Sequence, residues 1–134
     1  MIALGTAPMA KVLGMRNPAK LKLIPAAEDL AVETYLVTAA FPPSERFGLT
    51  AQLRRAAVSV GSNVVEGSHR QGNRAFLAYL HQSLGSAAEM QFQLRVAVRL
   101  AFGDADAVDA LIDQANHVQR MTVRLIVALR EKGD

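Results

Sequence analysis

Cysteine is absent from the 134-residue chain, which removes disulfides, thiolate zinc sites and a cysteine nucleophile together. A reducing compartment fits that composition, and the expected location is the cytoplasm. Tryptophan is absent as well and aromatic residues make up only 5%, so there is little of the β-branched and aromatic material from which strands are built. No apolar run approaches the ~20 residues that a bilayer helix needs. The N-terminal stretch lacks the uninterrupted apolar segment of a secretory signal. No GxGxxG, P-loop or HExxH pattern occurs, so neither a cofactor nor a metal is expected. Internal repeats and low-complexity tracts are missing too.

What remains is a chain with 51% hydrophobic and 20% charged residues, too apolar for a disordered protein and rich in helix formers. Its length suits one domain with one core. The 15 Lys and Arg exceed the 12 Asp and Glu by a formal charge of only +3. Lys11, Arg16, Lys20 and Lys22 supply four of those positive charges within the first 22 residues, so the body is nearly neutral. That opening stretch has no acid and carries Gly5, Pro8, Gly14 and Pro18. Residues 1–20 therefore read as a flexible basic tail, or as upstream sequence before a start at Met9 or Met15, and less as a nucleic-acid-binding arm.

Residues 21–134 read as four helices. The first, about 26–41, has Glu28, Asp29 and Glu33 in its early turns, where the helix dipole favours acids, and ends at Pro42-Pro43. The second, about 49–66, places Leu49, Leu53, Ala56, Ala57, Val60 and Val64 on one stripe, with Gly67 as its left-handed terminator. Gly61 inside it implies a close backbone contact or a bend. The third, about 73–102, carries Leu77, Leu80, Leu84, Ala87, Ala88, Leu94, Val98 and Ala101 on one face and a second apolar edge of Phe76, Tyr79, Met90 and Ala97. Either it touches more than its own bundle or it is the central helix. Gly103 closes it, and Asp104 or Asp106 caps the fourth, about 105–131, whose Val108, Leu111, Ile112, Ala115, Val118, Thr122, Leu125, Ile126 and Leu129 have near-heptad spacing. Short connections make neighbours antiparallel, so the expected fold is all-α, an up-and-down four-helix bundle.

The run Phe47–Gly67, FGLTAQLRRAAVSVGSNVVEG, with Phe76-Leu77-Ala78-Tyr79-Leu80 and Gly85-Ser86-Ala87-Ala88-Glu89, resembles the four-helix-bundle family of proteins encoded in intervening sequences of bacterial large-subunit (23S) ribosomal RNA genes. The ordered core of the match is Gln52-Leu53-Arg54-Arg55-Ala56-Ala57 with Ser59, Ser62-Asn63 and Glu66-Gly67. It spans roughly Leu21 to Phe102, and the last helix matches in pattern only. Gly61, where many relatives carry proline, and Ala87, where leucine is commoner, depart from it. The resemblance implies an antiparallel bundle assembling into a ring-like homo-oligomer, typically a pentamer, with no established enzymatic activity, so a non-enzymatic protein is expected. The accessory protein of diversity-generating retroelements looks like a distant relative that pairs with a reverse transcriptase and binds nucleic acid through a basic surface. The near-neutral body of this chain departs from that type. The expected function is thus that of a binding module whose partners are the chain itself, then RNA or DNA, or another protein; the alternative is a structural or selfish-element protein with no ligand.

Arg55, Ser59, Asn63 and Glu66, at helical spacing, form one polar stripe that Glu89 could face. It reads as a hydrogen-bond network fixing helix register or a subunit contact, ahead of a binding patch. Arg95 with Arg99, and Arg120 with Arg124, are each one turn apart and suited to phosphates, although solvated arginines are the plainer explanation. Arg74 and His81, two turns apart, superficially resemble the Arg-x(4–6)-His signature of HEPN-type ribonucleases, in which histidine moves a proton and arginine stabilises phosphate charge. Ala75 stands where that motif usually has a polar residue. His69 and His117 have no metal-like partners at helical spacing.

Overall fold

The computed structural model describes residues 18–133. Four α-helices account for most of them: α1 Pro18–Thr38, α2 Leu49–Ser68, α3 Asn73–Arg99 and α4 Ala105–Lys132. A single 3-10 turn, Pro43–Glu45, lies between α1 and α2. No strand occurs among the described residues, and no helix there is long and apolar enough to cross a membrane.

Cross-helix contacts establish the up-and-down order. The Arg54 Nε donates to Thr38 Oγ1 at 2.9 Å across α1 and α2, and Ser83 Oγ donates to the Val60 carbonyl at 2.8 Å across α2 and α3. Gln91 Nε2 donates to Gln119 Oε1 at 2.7 Å across α3 and α4, and also to Asn116 Oδ1. The fourth side closes where α1 packs directly on α4, and at one end of the bundle the Phe41 and Phe102 rings of the two connections meet, 5.8 Å between centroids. Each helix packs on two neighbours, α1 and α3 both lying between α2 and α4. Leu30, Leu53, Leu80, Leu94, Leu111 and Leu125 are fully buried between them.

The first helix starts eight residues earlier than its pattern implied. Pro18 stands at its first position, where the missing N–H costs nothing. Pro25, which would ordinarily end a helix, lies inside α1 on its exposed side. Leu23, Ala27 and Leu30 continue the buried stripe across it, so packing overrides propensity. Lys20, expected in the tail, sits with its Nζ 4.9 Å from the Phe76 ring centroid. Burial, and next the charge of Lys132, hold its ammonium below the ordinary lysine pKa. Residues 1–17 of the expected tail lie outside the described residues. At the other end, α1 stops at Thr38, and single-turn bonds from Ala40 and Phe41 back to Val37 and Thr38 lead into Pro42.

Two glycines act differently from expectation. Gly67 does not terminate α2; it is helical and buried, and a Cβ on it would lie 2.6 Å from Tyr79 Cβ and 2.8 Å from the Phe76 ring. It is there to let α3 approach. Gly103 does not close α3 either. The Phe102 N–H bonds to the Ala97 carbonyl and the Ala101 N–H to that of Val98, the paired bonds of a Schellman motif. Ala101 therefore takes the left-handed position, at φ +57°. Gly103, itself at φ +70°, makes room for the Phe41 ring, 3.0 Å from where its Cβ would be. Because alanine is strained at positive φ, Ala101→Gly is expected to stabilise the protein by about 0.5–1 kcal/mol. A urea titration showing no gain would contradict that cap. Of the two capping candidates for α4, Asp104 does it, accepting from the N–H groups of Asp106 and Ala107.

In α3 the buried stripe is Phe76, Leu80, Ser83, Ala87, Met90, Gln93, Leu94 and Ala97. The supposed second edge supplies three of those positions. Leu77 and Leu84 are half-buried, while Ala88, Val98 and Ala101 face out. Ser83, paired to the α2 backbone, hides the heptad from a purely apolar count.

Candidate functional site

The polar stripe of α2 divides into a packed part and an exposed part. Asn63 Nδ2 donates to the Ser59 carbonyl at 2.9 Å and to its Oγ at 3.0 Å, and Ser59 Oγ lies 2.8 Å from Ser86 Oγ of α3. These half-buried groups satisfy one another across the α2–α3 seam, which holds the register of the two helices. Ser86 belongs to that network although its sequence neighbourhood is merely small. Glu66 is exposed and pairs with Arg70 at 3.0 Å, one turn away. Such a solvated pair contributes little to stability. Arg55 and Glu89 are also exposed and line a shallow depression with Gln52, Ser59 and Gln93. Gln93 is 6% exposed, and its Oε1 has no hydrogen-bond partner.

Arg95 and Arg99 lie exposed on the C-terminal turns of α3, and Arg120 and Arg124 lie exposed on α4. Arg124 borders a separate depression with Lys22, His117 and Met121, towards α1. His81 Nε2 is 3.0 Å from an Nη of Arg130, on α4. Among the described residues no group of three or more His, Asp or Glu is placed to hold a metal ion.

One concavity is not revealed by periodicity. It is an open groove of about 920 Å³ where the α1–α2 connection meets both helices, bordered by Tyr35, Arg46, Phe47, Arg54, Arg55 and Val58. None of its lining residues is acidic. Phe47 is 86% exposed and Tyr35 46%. The Arg46 guanidinium is 5.2 Å from the Phe47 ring centroid, and that of Arg54 is 4.6 Å from Tyr35. Arg54 is further fixed by Thr38 Oγ1 and by the Tyr35 carbonyl at 3.4 Å. The neighbouring Glu45 turns its Oε1 to the Leu49 N–H at 3.0 Å, so its charge is engaged at the start of α2. Arg46-Phe47 in a connection, followed by Arg54-Arg55 a few residues on, is the part of this site visible in one dimension. Tyr35, on another helix, is not.

Residues 19–124 match the family model described as 23S rRNA-intervening sequence protein. The fold is similar to a crystal structure described as a protein of unknown function from the S23 ribosomal protein family of Bacteroides thetaiotaomicron. That likeness has a TM-score of 0.70 at 18% sequence identity and covers 78% of this chain and 97% of the other. No curated protein sequence matches the chain significantly.

Proposed function

Because the chain belongs to the 23S rRNA-intervening sequence protein family, we propose that it is a non-enzymatic, cytoplasmic homo-oligomer serving as a binding module, with nucleic acid its favoured ligand. Exposed apolar side chains on a bundle whose core is already complete carry this reading. Val32 and Leu36 of α1 are 54% and 62% exposed, and Phe92 of α3 is 61% exposed. Large apolar residues left outside a finished core support association with a further surface. A second copy is the simplest such surface, and closed rings are a common outcome of repeated contacts between identical subunits. The arginine-lined groove favours nucleic acid over protein as the second partner.

Sedimentation at micromolar concentration is expected to give a species larger than the monomer; a stable monomer would sink the assembly. RNA affinity is expected at ~50 mM salt and should fall steeply towards ~200 mM as counterion release weakens. If no nucleic acid is bound at low salt, the search moves to protein partners. The rival ribonuclease reading retains one supporting feature, an exposed His81 with the Arg130 guanidinium beside it. RNA cleavage that disappears in His81→Ala would establish it in place of the non-enzymatic reading.

A further inference from the structure

Resting on the nucleic-acid reading, we infer that the groove between Tyr35, Phe47 and Arg55 binds single-stranded nucleic acid, with bases on its aromatic and guanidinium planes and phosphates on its arginines. A ring as exposed as that of Phe47 leaves apolar area in water, and helix packing gives it no role, because it lies outside the core. Beside it stand Arg46, Arg54 and Arg55, with no carboxylate in the lining to neutralise them. Glu45 is turned to the Leu49 N–H and Glu89 shares only the adjoining depression with Arg55, so the groove itself presents a local excess of positive charge. Apolar planes alternating with cations suit a ligand that has flat faces and regularly spaced negative charges.

Single strands have both, whereas a duplex keeps its base faces inside its own stack and offers mainly phosphate. The Arg54–Tyr35 pair adds a preformed element. Its guanidinium is held by Thr38 Oγ1 and the Tyr35 carbonyl over the tyrosine ring, so a base can stack on its outer plane without first ordering the side chain. Arg55, further along α2, and Arg46, in the connection, flank that stack and are placed for the phosphates on either side.

The test is fluorescence anisotropy of the full chain with labelled 12-nucleotide oligo(U) and oligo(dT), and with a duplex of equal length, across a salt series. Single strands are expected to bind more tightly than the duplex. Phe47→Ala should weaken oligo(U) binding about tenfold, the loss of one stacked base. Arg55→Ala should remove about 0.7 from the slope of log affinity against log salt, one phosphate contact on a single strand. The sedimentation of both variants should match that of the parent. Tighter binding of the duplex would overturn the inference. So would binding that survives Phe47→Ala and Arg55→Ala but is lost in Arg95→Ala/Arg99→Ala, an outcome that leaves nucleic-acid binding intact and moves its place. A variant that dissociates the oligomer without changing RNA affinity would assign the groove to subunit contact instead. If no nucleic acid binds at any salt, the reading on which this inference rests fails with it.

Discussion

Replacing Gly67 by alanine is expected to destabilise the protein by about 2 kcal/mol, while the same substitution at Gly85 is expected to stabilise it by about 0.5–1 kcal/mol. Both glycines are helical, so alanine's better propensity favours each variant by a similar amount. What separates them is space. A Cβ at Gly67 would sit 2.6 Å from Tyr79 Cβ and 2.8 Å from the Phe76 ring, which cannot give way without moving α3, whereas nothing lies within 4 Å of one at Gly85. Overpacking of this kind costs ~1–3 kcal/mol and outweighs the propensity gain. At Gly61 the Cβ would meet Ala27 at 3.4 Å, an ordinary contact. Denaturant titrations of Gly67→Ala and Gly85→Ala decide the matter: equal shifts would mean that α2 and α3 are not so close.

The second large effect is expected at Leu23. It is fully buried in the common core, and Leu23→Ala should cost about 2–5 kcal/mol through lost transfer energy and the cavity left behind. Glu33, on the same helix but exposed, serves as the comparison, and Glu33→Ala should stay within ~0.5 kcal/mol of the parent. Leu23 precedes Pro25, so the prediction bears directly on where α1 begins. A loss below ~1 kcal/mol at Leu23 would show that the turns before the proline do not dock on the bundle.

Helices α2 and α4 were legible because their stripes are almost wholly apolar: Leu53, Ala56, Ala57, Val60 and Val64 in one, Val108 to Leu129 in the other, buried as their spacing implies except for Leu49 and Ile112, which are half-buried. In α1 and α3 the stripe contains hydroxyls. Thr34 and Thr38 occupy core-facing positions by returning their protons to the Leu30 and Thr34 carbonyls at 2.7 Å, and Ser83 does so through α2. A polar residue whose hydrogen bond is made within the fold behaves as a core residue. A one-dimensional count has no means of registering that bond. Pro25 carries a real local penalty inside α1, and it is offset only by burial on the far side of the helix.

For the candidate site the same distinction holds at longer range. Ser59 and Asn63 were visible as a polar stripe, but their partner Ser86 lies 27 residues from Ser59, and only packing brings the two hydroxyls to 2.8 Å. The groove is still less local, since Arg54 meets the Tyr35 carbonyl across 19 residues. By itself, the sequence determined the helical class, the number and order of helices, the antiparallel course and the family, because periodicity, breakers and an ordered motif are properties of neighbouring residues. Only the tertiary structure decided which hydroxyls are core, why Gly67 must be glycine, and that Tyr35, Phe47 and the arginines share one surface, because each depends on the distance between residues remote in the chain.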